Sequence, residues 1–456
     1  MMMFSLSEIL TATGGKATKT AAEEFAAVTT DSRQITAGSL FVALKGEKFD
    51  GEDFLAAAAD KGAAGALVSN TCPAEKYAAL NLSVVTVPDT LKGYQALANA
   101  HRQKFTVPVI AVTGSNGKTT TKDLTAAALS SLGDILKTEA NFNNEIGLPL
   151  TLLKLTSAHK AAVVEMGMRG LGQITALMRV ACPNIGIVTN VGEVHAELLG
   201  SIDNIAKAKG EMAENMPKGG SLILNADDSR VFAMQNKAAQ GVKIFTYGID
   251  SAAFVRAVKI SATHDKTTFT AECDGVPHEF TIPLLGRHNV YNALAAIAVA
   301  LAVGVTPNAI NEGFAKMQPT KMRFETFEKN GCTVINDAYN ASPASMKAAI
   351  ETVAETAGAR KKIAVLGDML ELGDFAEQGH RDIGKLLAAK KFTAVITYGE
   401  LAKLIADEAQ KGGLTAIATD SHAEAAAAVK NYWQDNAVIL FKGSRGMKME
   451  KIIELV

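Results

Sequence analysis

Two hydrophobic rhythms alternate along this chain. Short runs such as VVTV and PVIAVTG are apolar at nearly every position, as strands covered on both faces must be. Between them lie stretches such as DTLKGYQALANAHRQKF, whose apolar residues recur at the three- and four-residue spacing of a helix with one buried face. Near the start, SLFVALKG and LSVVTVPD read as strands and GEDFLAAAADKGAAGALVS as a helix followed by a strand, which makes a small α/β unit of residues 1–86. The strands PVIAVTG, AAVVEMG, NIGIVTN and GSLILNAD then alternate with helices and predict a parallel sheet covered on both sides. The segment FVRAVKISATHDKTTFTAECDGVPHEFTIPL breaks that alternation, because its Thr and Val residues at period two predict hairpins. The Ala-rich HNVYNALAAIAVALAVG follows as a helix ending at Gly304. After AKMQPTKMRFE a new α/β series begins, with CTVINDAY, KKIAVLGDM, FTAVITYG and NAVILFKG as strands. The pattern predicts an α/β chain of three domains, 1–86, 87–316 and 317–456, and a length of 456 residues is too great for a single core.

Composition narrows the function classes. With 48% hydrophobic and 20% charged residues the chain has an ordinary globular balance, and a net charge of -1 gives no electrostatic reason to expect nucleic acid or a membrane surface as partner. Cys72, Cys182, Cys273 and Cys332 are far apart and form no C-x-x-C pair, which argues against a zinc site or a disulfide framework. The start MMMFSLSEIL lacks the basic and apolar regions of a secretory signal, and no apolar run reaches bilayer length, so a cytoplasmic protein without membrane insertion is expected.

The chemistry is concentrated first in VIAVTGSNGKTTTKDL, where a strand runs into a turn of small residues that opens a helix. Backbone N–H groups of such a turn, with the helix N-terminus behind them, cradle anionic oxygens. Thr113, Gly114, Ser115, Asn116, Gly117, Lys118, Thr119 and Thr120 are therefore the expected nucleotide-binding loop for ATP or GTP, Lys118 reaching the β/γ-phosphates and the Thr119 hydroxyl holding Mg²⁺. The general phosphate-loop pattern asks for Gly at position 112, where this chain has Val112.

Two further strand ends lie downstream. Glu165, closing AAVVEMG, is placed where ligands of open α/β sheets collect and can take Mg²⁺ directly or through water, although a helix cap is the plainer reading of a lone Glu. His195, after NIGIVTN, has both a ligand reading and that of an ordinary satisfied histidine. Lys207 and Lys209 follow on a predicted helix. An ammonium beside magnesium would repel it, whereas an amine that has captured CO₂ becomes an anionic carbamate; the residues alone favour a surface lysine.

Taken together, TTDSR, ALKGEKFDGEDF, TGSNGKTT, NFNNEIGLPLTLL, EMGMRGLGQI, TNVGEVHAELLGSIDNIAKAKGE, GRHNVYNALAA, MRFE, INDAYNASPASMKAAI, LGDMLELGDFAEQGHRDIG and FKGSRGMKMEKI resemble the ATP-dependent Mur ligases of peptidoglycan synthesis along essentially the whole chain. That family's own phosphate loop is shortened in the same way. The resemblance implies a UDP-sugar-binding N-terminal domain, a central P-loop ATPase and a Rossmann-like C-terminal domain. The forms GDMLELG and NDAYNASP point to the branch that joins D-alanyl-D-alanine to a UDP-N-acetylmuramoyl-tripeptide through an acyl phosphate, as a cytoplasmic monomer. It further implies Thr119 and Glu165 at one Mg²⁺, His195 at a second, Lys209 as a carbamylated lysine, and Asn144 near the reacting phosphate. Asn289 and Asn292 would bind adenine, Arg323 and Asp337 would reach ATP from the third domain, and Ser32, Arg33, Gly46, Asp50 and Gly51 would hold the uridine diphosphate. Its mechanism also implies an open free enzyme whose third domain swings near Gln318 and Pro319. Two other readings stand beside it at this level: a folylpolyglutamate synthetase-like ligase, and a P-loop switch or scaffold that binds ATP without ligating anything.

Overall fold

The computed structural model describes residues 2–192, 196–263, 265–433 and 436–456. The chain divides into two compact units, one of Met1–Ala111, Leu136–Met166 and Thr175–Pro183, the other of Val112–Ile135, Gly167–Ile174 and Asn184–Val456.

In the first unit a five-stranded sheet runs in the order Lys16–Lys19, Ser83–Val87, Gly65–Ser69, Ser39–Val42, Ala27–Thr29. Its first pair is antiparallel and the other three are parallel. Phe41, Leu55, Val68 and Leu82 pack in its core. The same unit holds the strand His159–Glu165 and the helix Thr90–Gln103, whose first turn is capped by Asp89 accepting from Lys92 N at 3.0 Å.

In the second unit one sheet runs Val276–Ile282, Thr267–Cys273, Val255–Ala262, Lys243–Gly248, Ser221–Asn225, Ile185–Val188 and then reaches the end of the strand Val109–Thr113. The predicted hairpins are present as the antiparallel edge of this sheet. Their period-two sequence follows from one-sided burial, since Thr267–Cys273 alternates buried and half-buried positions along its length. The inner strands Ile185–Val188, Ser221–Asn225 and Lys243–Gly248 are parallel. The helix Arg287–Ala302 is buried on every side from Ala293 to Ala300, which is why its sequence shows no polar face.

A second sheet of this unit has the order Glu325–Lys329, Cys332–Asp337, Val438–Lys442, Lys362–Gly367, Ala394–Tyr398, Thr415–Thr419. Only the first pair is antiparallel. Alternate strand residues face opposite cores: Ile335, Leu366 and Leu440 pack with Ile350, Ile383 and Leu387, while Val334, Val365 and Phe441 pack with Val429, Ile452 and Ile453. The helix after Lys362–Gly367 and the helix after Val438–Lys442 thus lie on opposite faces. Where helices leave neighbouring strands on opposite faces in this way, α/β sheets take their ligands at the strands' carboxyl ends.

Candidate functional site

The phosphate loop is built as its residue types require. Gly114 has φ +147° and Gly117 φ +80°, and a Cβ on them would stand 1.8 Å from Thr189 Oγ1 and 2.4 Å from Asn292 Oδ1 respectively. Only glycine fits either place. Val112, where the general pattern has Gly, lies fully buried inside the strand Val109–Thr113, so its side chain packs in the core and the turn starts two residues later. The loop is fastened to the end of the strand Ile185–Val188. Ser115 N donates to Asn190 O at 2.9 Å, Asn116 N to Asn190 Oδ1 at 2.9 Å, and Asn116 O accepts from Thr189 Oγ1 at 2.7 Å and Asn190 Nδ2 at 3.0 Å. Ser115 Oγ donates to Gly192 O at 3.0 Å and accepts from Gly192 N at 2.8 Å. Lys118 opens the helix Lys118–Ala128 and curls its Nζ back onto Gly114 O at 2.9 Å and Ser115 O at 3.2 Å. Thr113 and Thr119 are buried and Thr120 half-buried.

Lys209 is not a surface residue. On the helix Ile202–Glu214 it is 2% exposed, whereas Lys207 faces solvent. Burial, and after it the charge of Lys118, hold its pKa well below the ordinary lysine range, so the neutral amine with its free electron pair is favoured. The sequence-expected ligand His195 lies outside the described residues. The chain leading to it is held by Asp228, whose Oδ2 accepts from Val191 N at 2.8 Å while its Oδ1 caps the helix Ser229–Phe232.

Asn289 and Asn292 are buried and bonded to the protein. Asn292 Nδ2 donates to Asn289 Oδ1 at 3.0 Å, Asn289 Nδ2 to Leu285 O at 2.8 Å, and Asn292 Oδ1 accepts from Thr121 Oγ1 at 3.1 Å. The pair therefore braces the phosphate-loop helix. Further on, Arg323 sits between two non-glycine residues in the left-handed region, Met322 at φ +61° and Phe324 at φ +54°, a costly arrangement typical of functional turns. Its guanidinium lies 4.0 Å from the Tyr339 ring centroid, and its Nε is buried without a hydrogen-bond partner among the described residues. Asp337 secures this turn, accepting from Phe324 N at 3.1 Å through Oδ1 and pairing with Lys442 Nζ at 2.5 Å through Oδ2. Lys442 is 2% exposed, so the pair is largely dry. Ser342, at the N-terminus of the helix Pro343–Thr356, donates its hydroxyl to Asn116 Oδ1 of the phosphate loop at 3.1 Å.

In the first unit Glu165 ends the strand His159–Glu165 and is 2% exposed. Its Oε1 accepts from Asn143 Nδ2 at 2.7 Å, so the side chain that meets it is Asn143. The sequence-expected Asn144 instead turns its Oδ1 to Gly147 N at 2.9 Å, opening the helix Gly147–Leu152. Arg33 is exposed and forks onto Asp31, Nε to Oδ1 at 2.9 Å and Nη2 to Oδ2 at 2.8 Å. That fork holds the Asp31 carboxyl down to about 2. Ser32 O accepts from Lys61 Nζ at 2.9 Å. Asp50 caps the Gly51–Phe54 turn through Glu52 N at 3.0 Å, and a Cβ on Gly51 would stand 2.7 Å from the Leu44 backbone. Gly46 N donates to Phe49 O at 2.9 Å, closing a tight turn beside them.

Asn190, Asp228, Lys442, Ser342 and Asn143 were not singled out from the sequence. Each acts on a partner distant in sequence, and short polar side chains at strand ends and helix caps carry no periodic signal. Asn190 and Lys442 alone had a positional cue, at the end of an apolar run as Glu165 is.

Comparison with known proteins now bears on this arrangement. A family model described as "Mur ligase middle domain" matches residues 112–300, one described as "Mur ligase family, catalytic domain" matches 24–105, and "Mur ligase, glutamate ligase domain" matches 322–445. The UDP-N-acetylmuramoyl-tripeptide–D-alanyl-D-alanine ligase of Bacillus subtilis (strain 168) is 41% identical over 434 residues, covering 94% of this chain and 92% of the relative. A crystal structure of MurF from Acinetobacter baumannii superposes with a TM-score of 0.90 at 31% identity, covering 99% of this chain and 98% of that one. The fold is shared too with MurF ligase from Thermotoga maritima in complex with ADP, at a TM-score of 0.84 and 24% identity over 94% of this chain and 96% of that one. With a relative of that identity matched along nearly its full length, the chain belongs to the Mur ligase family.

Proposed function

We propose that this chain is an ATP-dependent ligase that joins D-alanyl-D-alanine to a UDP-N-acetylmuramoyl-tripeptide in peptidoglycan precursor synthesis, releasing ADP and phosphate. The observation that carries the reading is the glycine-only phosphate loop with Lys118 folded onto it, in a chain whose relatives of this identity and coverage bear that activity's name. The domain matches at 24–105, 112–300 and 322–445 support a division into three domains, proposed at residues 1–86, 87–316 and 317–456, although the first match runs past residue 86. The match at 24–105 also favours this reading over a folylpolyglutamate synthetase-like ligase, for which an N-terminal domain of this kind is not expected.

A free carboxylate is a poor electrophile. In this reading the tripeptide's terminal carboxylate attacks the γ-phosphorus of ATP, giving an acyl phosphate and ADP. The amine of D-alanyl-D-alanine then adds to the activated carbonyl, and the tetrahedral intermediate expels phosphate. Both steps gather negative charge, so fixed cations and N–H groups lower the barrier most. Lys118 exchanges the carbonyls of Gly114 and Ser115 for the β/γ-oxygens, while the loop N–H groups and the start of the Lys118–Ala128 helix hold the rest. Arg323, whose buried Nε has no hydrogen-bond partner among the described residues, supplies a further donor from the third domain, and Asp337 fixes the turn that presents it. Asn289 and Asn292 keep the loop's helix in register and stand as the adenine-side pair. Ser32, Arg33, Gly46, Asp50 and Gly51 take the uridine diphosphate, Arg33 trading Asp31 for diphosphate oxygens.

The buried Thr119 hydroxyl and the Glu165 carboxylate are hard oxygen donors of the kind magnesium selects, with His195 and carbamylated Lys209 completing the proposed set. Bound Mg²⁺ would supply charge neutralisation for the transferring phosphoryl group. Burial of Lys209 suits it to capture CO₂, since the neutral amine is the nucleophile. Among the described residues no helix is long and apolar enough to cross a membrane, and the reading takes the enzyme as a cytoplasmic monomer. ADP release should require both the UDP-muramoyl tripeptide and D-alanyl-D-alanine. Release without either, or on a folate substrate, would replace this reading by one of its rivals.

A further inference from the structure

The third domain reaches the phosphate loop at a polar contact between Ser342 and Asn116. Ser342 is 3% exposed and caps the helix Pro343–Thr356, accepting from Ser345 N at 3.3 Å. Its neighbour Ser345 Oγ accepts from Ser342 N at 2.9 Å and donates to Ser342 O at 3.1 Å. The Ser342 hydroxyl has two acceptors in reach, Asn116 Oδ1 of the phosphate loop at 3.1 Å and Ser345 Oγ at 3.2 Å, and the loop contact is the shorter. On the loop side the Asn116 backbone is held through its N and O by Thr189 and Asn190, so its carboxamide is presented from an anchored position. Thr320, in the segment that leads to the third domain, donates to Asp123 Oδ2 at 2.6 Å on the helix that the loop opens. The C-terminal segment is thereby tied to one structural element at two points, the loop at Asn116 and the middle of its helix at Asp123.

We infer that Ser342 is a positioning residue for the ligase reaction: its hydroxyl, bound to Asn116, couples the seating of the third domain to the geometry of the phosphate loop. The inference rests on the ligase reading above but makes a structural statement of its own. When Ser342 leaves Asn116, the loop loses a restraint and the third domain loses its register against the nucleotide. A capping role alone would confine the effects of substitution to the Pro343–Thr356 helix.

Glycine at an N-cap costs the helix only a few tenths of a kcal/mol relative to serine, so Ser342→Gly removes the hydroxyl and nearly spares the cap, while Ser342→Thr keeps both. In Ser342→Gly, amide hydrogen exchange of residues 115–118 in the ligand-free protein should rise about fivefold, the weight of one ordinary hydrogen bond. Its kcat at saturating ATP should fall by a similar factor, and Ser342→Thr should match wild type in both. Unchanged loop exchange in Ser342→Gly, exchange that rises only within the helix, or a Ser342→Thr as impaired as Ser342→Gly would each overturn the inference. Absence of ligase turnover in the wild type would sink the functional reading, and the exchange comparison would still decide the coupling.

Discussion

Substituting Gly117 by Ala should damage nucleotide binding far more than its single methyl suggests. The backbone there has φ +80°, which costs a non-glycine residue roughly 1–2 kcal/mol. The new Cβ would also stand 2.4 Å from Asn292 Oδ1, which accepts the Thr121 hydroxyl at 3.1 Å. Asn292 cannot yield cheaply, because its Nδ2 is bound to Asn289 in a buried pair. Breaking that network adds about 1–3 kcal/mol, for a total of about 2–5 kcal/mol. Gly304 provides the control: its φ is +88° and nothing lies within 4 Å of a Cβ there, so Gly304→Ala carries only the backbone cost. Titration with a non-hydrolysable ATP analogue, alongside thermal unfolding of both variants, separates the terms. Gly117→Ala should bind the analogue at least tenfold more weakly than wild type, and Gly304→Ala should bind it normally. Equal nucleotide affinity in the two variants would refute the account of the loop as a cradle that a side chain fills.

Asn143→Ala, which strips the hydrogen bond from Glu165, should raise the Mg²⁺ concentration needed for half-maximal activity by about tenfold, measured by titrating the metal at fixed ATP. In CO₂-depleted buffer activity should fall and return on adding bicarbonate, and Lys209→Met should be inactive under both conditions. Because the folded pKa of Lys209 is depressed, the unfolded chain binds its proton more tightly, so the stability it costs is greatest at low pH and fades as pH rises toward the ordinary lysine range. Lys209→Met should accordingly gain melting temperature over wild type at pH 6, and that advantage should shrink as pH rises past the depressed folded pKa and vanish only near the ordinary lysine value of 10.5, in CO₂-free buffer. Arg33→Ala should weaken binding of the UDP-sugar while scarcely changing stability; Asp31 titrates at about 2 against its usual 3.8, so any stability the pair adds is present above pH 4 and vanishes as pH falls toward 2.

The inner strands were legible because parallel strands with both faces covered are apolar throughout, and the hairpins because one-sided burial imposes period two. Thr415–Thr419 and Lys243–Gly248 were missed: the first is an edge strand and both are mostly half-exposed, which dilutes the apolar run. The phosphate loop was readable residue by residue, since φ and close contact leave glycine no substitute. Lys209 was not, because a lone lysine on a helix is indistinguishable from its exposed neighbour Lys207 until packing is known. That Asn143 is the side chain bonded to Glu165 Oε1 was not legible either, because which of several adjacent polar residues turns inward depends on the local chain path. Contacts such as Ser342 to Asn116, separated by 226 residues, and Lys442 to Asp337, separated by 105, have no local pattern at all.

The claim at the centre is that a carboxylate is activated by phosphorylation on this loop before the amide forms. Tripeptide substrate carrying ¹⁸O in its terminal carboxylate tests it directly, with mass analysis of the phosphate released in the presence of ATP and D-alanyl-D-alanine. Phosphate bearing one ¹⁸O atom per turnover is the expected result, and unlabelled phosphate accompanying amide product would contradict the account.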